Sequence, residues 1–68
     1  MPNTQKIQNR LKELGLTQSD LAAALSLATP TVSQKINNIR PTTLEEAEKM
    51  AKVLKIRDKE FGSYFFNQ

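Results

Sequence analysis

The chain has 68 residues, ten Lys or Arg against seven Asp or Glu for a net charge of +3, and neither Cys nor His. That leaves no disulfide framework, no thiolate or imidazole metal ligand and no histidine for acid–base work, so an enzyme is a poor fit and no cofactor, metal or small-molecule ligand is expected. One small domain spanning 1–68 is expected; the chain has no apolar run near the ~20 residues of a membrane span and no signal-peptide core, so a cytoplasmic location is expected.

In chain order, Asn3 or Thr4 can cap a first helix carrying Ile7, Leu11 and Leu14 on one stripe, closed by Gly15 where φ > 0 is wanted. Thr17 caps a second helix with Leu21, Ala24 and Leu25 as core residues and Asp20 at the positive end of its dipole. That pattern stops at Ser26-Leu27-Ala28. A third helix is expected from Thr29 as cap and Pro30 as first residue, with Val32 and Ile36 inward, an end near Asn37-Asn38, and Ile39 plugging the core. After the Arg40-Pro41 break, Thr42 with Glu45 and Thr43 with Glu46 offer two overlapping capping boxes for a fourth helix. It is expected to bury Leu44, Ala47, Met50 or Ala51, and Leu54, and to expose Glu45, Glu48, Lys49 and Lys52. Lys55 closes its last turn, and Asp58 caps a short fifth helix containing Phe61, Tyr64, Phe65 and Phe66. No segment reads as a strand.

The third helix carries the functional signal. With Val32 and Ile36 inward, Pro30, Gln34 and Asn37 face out, flanked by Ser33 on one side and by Thr31 and Asn38 on the other. An ordinary solvated face would use Glu and Lys, as the fourth helix does; Thr, Ser, Asn and Pro are poorer helix formers. No carboxylate lies between Asp20 and Glu45, which suits a helix entering the major groove, where uncharged groups match base edges without repelling phosphate. The excess charge lies in the same half, since residues 1–40 hold five cations against two carboxylates while residues 41–68 balance. This agrees with a polyanion partner, but a charge of +3 taken alone reads more simply as ordinary solubility charge. Lys35, on the helix flank, is expected at phosphate, and Gln34 can pair with the N6/N7 edge of adenine. Arg10 and Lys12 read better as first-helix surface charges, one of them paired with Glu13 or Asp20, and Lys49, Lys52, Lys55 and Lys59 as helix-face and dipole charges.

Leu16-Thr17-Gln18, Asp20-Leu21-Ala22, Leu25, Leu27, Val32-Ser33, Ile36, Asn37-Asn38 and Thr43-Leu44 together resemble the helix-turn-helix of phage Cro and repressor proteins, the xenobiotic-response-element-like regulators. The resemblance implies an all-α, compact five-helix lambda-repressor-like domain with its helix-turn-helix at about 17–38. It implies base contacts from Thr29, Pro30, Ser33 and Gln34, to which outward-facing Asn37 is added, and phosphate contacts from Gln18, Asn38, Arg40 and Thr43. It also implies sequence-specific binding of a double-stranded DNA operator by a phage- or prophage-type repressor. Two positions depart from the family: Ser26 stands where Gly is frequent, and Ala28 where a Ser or Thr cap is frequent, which shifts the expected cap to Thr29.

The tail, 58–68, holds all four aromatics of the chain. Phe61 and Phe65 are expected on the core, and Tyr64, Phe65 and Phe66 at the interface of a homodimer formed at least on DNA. A lid on a single monomer is the plainer alternative for the tail. The alternative function is a protein-interaction or antitoxin-like module that has kept the fold without specific DNA readout.

Overall fold

A computed structural model describes residues 2–66 of the protein. Five helices follow one another: α1 (Thr4–Leu14), α2 (Gln18–Leu25), α3 (Thr29–Ile36), α4 (Leu44–Val53) and α5 (Asp58–Phe65), with no strand among the described residues. They surround one core of Ile7, Leu11, Leu21, Ala22, Leu25, Val32, Ile36, Ala47, Met50, Ala51, Leu54 and Phe65. Every helix contributes, and α2 lies against both α3 and α4.

Four helices end in the same way. Gly15, Ser26, Asn38 and Lys55 all have φ between 55° and 69°. Behind each, the next residue donates its N–H five residues back: Leu16 to Leu11, Leu27 to Ala22, Ile39 to Gln34 and Ile56 to Ala51, at 2.8–3.0 Å. This closure satisfies carbonyls that the helix end leaves open, and its following hydrophobic residue normally folds onto the helix. Leu16, Leu27 and Ile56 do so, packing against the core. Ile39 does not: it was expected inside and is 72% exposed. The loop that carries it is tied down, since Asn38 Nδ2 donates to Pro2 O at 3.1 Å and Thr4 Oγ1 donates to Ile36 O at 2.6 Å.

Other expectations are corrected at element ends and edges. The cap of α3 is Ala28, extended at φ −72° and ψ 147°, so Thr29 is already helical and Pro30 is its second residue. The closure of α2 takes up Ser26 and Leu27, leaving one extended residue before the helix starts. The cap of α5 is Arg57 rather than Asp58, which stands inside the helix as its first residue. In α2 the buried alanine is Ala22, not Ala24. Both lie about 80° from the Leu21–Leu25 direction, on opposite sides, so periodicity cannot choose between them and the packing of α3 and α4 does. Leu44, expected inside, is 58% exposed because it opens α4 one turn before the first buried residue, Ala47.

Side chains join the helices at their ends. Arg10 reaches from α1 to the end of α4, donating from Nε to Leu54 O at 2.8 Å and from Nη2 to Lys55 O at 3.3 Å, with Glu13 at 3.1 Å. Thr43, not Thr42, caps α4, and Glu46 returns a carboxylate oxygen to the Thr43 N–H at 3.0 Å. The same Oε1 accepts from Lys35 Nζ at 2.9 Å, and Lys35 also donates to Pro41 O at 3.0 Å. This ties the last turn of α3 to the start of α4.

Two stability predictions arise here. A left-handed serine carries a Cβ penalty that glycine lacks, so Ser26→Gly should stabilise the fold by about 1 kcal/mol, read as a higher urea midpoint. An unchanged midpoint would mean that the turn is unstrained. Burial works against the charge of Glu46, but the Thr43 N–H and the Lys35 ammonium outweigh it and hold its carboxyl below the ordinary value of 4.5. The folded chain therefore binds this proton less readily than the unfolded one. The stabilisation is full above about pH 4.5 and is lost as pH falls through the depressed value. Glu46→Gln should cost about 1–2 kcal/mol at pH 7 and flatten the acid limb of stability against pH. An acid limb equal to that of the wild type would assign the effect to other carboxylates.

Candidate nucleic-acid interface

The site is built on α2, its turn and α3. Thr17 and Asp20 cap α2 reciprocally: Asp20 N donates to Thr17 Oγ1 at 3.1 Å, and Thr17 N donates to Asp20 Oδ2 at 2.9 Å. The one carboxylate near this end is thus turned back on its own cap. Gln18 is the first residue of α2, at the positive end of its dipole and half-buried. Its side chain has no hydrogen bond among the described residues.

α3 begins without a side-chain cap, because Ala28 has none to offer. Pro30 limits the loss, having no N–H to leave open. The start of α3 meets the start of α2 through Ser19 and Thr29, whose hydroxyl oxygens are 3.1 Å apart. Ser19 was not anticipated: nothing in a serine at the second helical position marks it until the two helix starts are brought side by side. Thr29, Pro30 and Asn37 are exposed, and Ser33 and Gln34 are half-buried, around the outward face opposite fully buried Val32 and Ile36. The Gln34 amide makes no hydrogen bond among the described residues. Asn37, just past the helix, folds its Nδ2 back onto Ser33 O at 2.8 Å.

The expected phosphate contacts separate into two groups. Gln18 and Arg40 have no side-chain partner among the described residues, and Arg40 is exposed. Lys35, Asn38 and Thr43 already have partners within the chain, although Asn38 and Thr43 remain exposed. The Lys35 side chain is 12% exposed and bound to Glu46. Asn38 Nδ2 is bound to Pro2 O, and the Thr43 N–H to Glu46. Of the other cations in the first forty residues, Lys6 donates to Ser63 Oγ at 2.9 Å and lies 4.9 Å from the Tyr64 ring centre, and Arg10 closes the end of α4.

The expected dimer residues also separate. Phe65 is 2% exposed and belongs to the core, so it is withdrawn from the interface expectation. Tyr64 is half-buried against the core, and Phe66 is 54% exposed. Phe66 and Ile39 line one groove, together with Pro2, Arg40 and Pro41.

Among the described residues, no helix is long and apolar enough to cross a membrane, and no three His, Cys, Asp or Glu side chains are grouped to hold a metal ion. The surface formed by α2 and α3 can offer hydrogen bonds and a helix N-terminus to an anionic, base-bearing partner.

A comparison with curated proteins gives no match. A helix-turn-helix family profile matches residues 7–61, which takes in all of α2, α3 and α4. The chain therefore belongs to the Cro/repressor-like helix-turn-helix family of DNA-binding transcription regulators.

Proposed function

We propose that the protein binds a double-stranded DNA operator sequence-specifically, as a phage- or prophage-type repressor that lays α3 in the major groove. The observation that carries this is the outward face of α3: an unbonded Gln34 amide amid Thr29, Pro30 and Ser33, within a stretch free of carboxylates. Gln18 and Arg40 hold phosphate on either side, and base contacts near the start of α3 give the sequence preference. Occupying promoter DNA suffices to block transcription, so no second activity is required.

A second copy completes the assembly across the groove of Ile39 and Phe66. Exposed apolar surface there, with Ile39 at 72% and Phe66 at 54%, amounts to roughly a few hundred Å² at most, against the ~800 Å² per partner of a stable interface. The pairing is accordingly weak in free solution and completed on DNA, with two α3 helices ~34 Å apart in successive major grooves. The same exposed residues support the second reading, an interaction module without DNA readout. Mixed-sequence DNA at low salt separates the two: a module of that kind does not bind it, whereas a groove reader binds and weakens as salt rises.

Gln34→Ala should cost about 1–3 kcal/mol on the operator and relax preference at one base pair, whereas Arg40→Ala should weaken all sequences alike and reduce the salt slope by ~0.9. Competition titrations against operator variants would measure both; a Gln34→Ala protein with wild-type discrimination would sink the assignment. Ile39→Ser should leave half-site binding intact and weaken binding to the two-half-site operator about tenfold. Equal loss on both sites, by titration, would place Ile39 outside the dimer seam.

A further inference from the structure

The fold determines which cations can reach the bases. Guanine presents two acceptors, O6 and N7, in the major groove and is most often read by the forked donors of Arg or by Lys. Among the described residues, no such donor is available on the outward face of α3. Lys35, the helix's one cation, is bound to Glu46 at 2.9 Å and Pro41 O at 3.0 Å, with its side chain 12% exposed. Arg40 lies beyond the helix and lines the groove with Pro2 and Phe66. Lys6 and Arg10 are engaged with α5 and the end of α4.

What remains on the face is selective in the other direction. The Gln34 carboxamide offers one acceptor and one donor, the complement of adenine N6–H and N7. On guanine its oxygen would face O6, acceptor against acceptor. Pro30 is exposed and offers only carbon, which suits the C5-methyl of thymine. The Ser33 and Thr29 hydroxyls donate or accept, so they add affinity without choosing a base. Thr29 is further held by Ser19 at 3.1 Å, and the Asn37 amide group is bound to Ser33 O.

We infer that α3 reads A·T pairs: Gln34 bridges N6 and N7 of one adenine, Pro30 packs on a thymine methyl, and no side chain on the face selects guanine. This rests on the proposed reading of DNA by α3. It names Lys35 as a residue whose pairing inside the fold sets specificity by withholding a guanine reader.

The test is a binding selection from random-sequence duplex DNA with the 68-residue chain, run beside Gln34→Ala and Gln34→Arg. The expected half-site is rich in A·T where α3 makes contact. Gln34→Ala should erase preference at one position, which identifies it, and Gln34→Arg should turn adenine there into guanine. Replacing the A·T pair at that position by G·C should weaken the wild type about tenfold. A control that leaves the protein unaltered replaces contacted thymines by uracil, which removes only the methyl and should weaken binding about fourfold at the Pro30 site. Enrichment of guanine by the wild type at the Gln34 position, or no effect of uracil at any position, overturns the inference while leaving DNA reading intact. A pool with no enrichment overturns DNA reading itself, and the inference with it.

Discussion

A single oxygen atom ties the last turn of α3 to the start of α4. Oε1 of Glu46 accepts from the N–H of Thr43, which starts α4, and from the ammonium of Lys35, which ends α3. The core alone fixes how far α3 sits from α4, since Val32 and Ile36 are fully buried, but apolar contact is non-directional. The ion pair adds direction at one end of α3, and the paired hydroxyls of Ser19 and Thr29 add it at the other. A helix held at both ends presents its outward face at a defined angle, which hydrogen-bonded recognition of base edges requires.

This arrangement gives the cations of the first forty residues a different meaning from the one that counting suggests. Five positive charges there look like an electrostatic footprint for a polyanion. Three of them, Lys6, Arg10 and Lys35, have hydrogen-bonding partners inside the fold. They hold α1 to α5, α1 to α4, and α3 to α4. The charges work first as fasteners in a domain that has no disulfide to offer.

Periodicity found all five helices, because each carries a stripe of Ile, Leu, Val, Ala, Met or Phe at helical spacing. Cap chemistry named Thr17 outright and narrowed the others to Asn3 or Thr4 and to Thr42 or Thr43, since those bonds depend on residues three apart; the structure selects Asn3 and Thr43. Periodicity failed where a choice depends on distant neighbours. Ala22 and Ala24 are equivalent on a helical wheel; Ile39 and Leu44 have core chemistry but lie outside the core's edge. The partners of Arg10 and Lys35 are carbonyls and a carboxylate brought close by the fold, 44 and 11 residues away in sequence. The outward face of α3 was legible because only two buried residues were needed to set its phase. Which of its flanking polar groups stay free was not, since that depends on what α1, α2 and α4 place beside them.

The left-handed closures at Ser26, Asn38 and Lys55 are each made by a residue with a Cβ, where glycine would be easier. Asn38 has a reason, since its amide anchors the chain near Pro2. Ser26 and Lys55 make no side-chain hydrogen bond among the described residues, so each holds stability that the fold has left untaken. Such a reserve lets a small domain change: a substitution on the exposed face of α3 that costs about 1 kcal/mol is offset by a glycine at a helix end. The same scaffold then accepts new side chains on that face without an unfolded intermediate in its history.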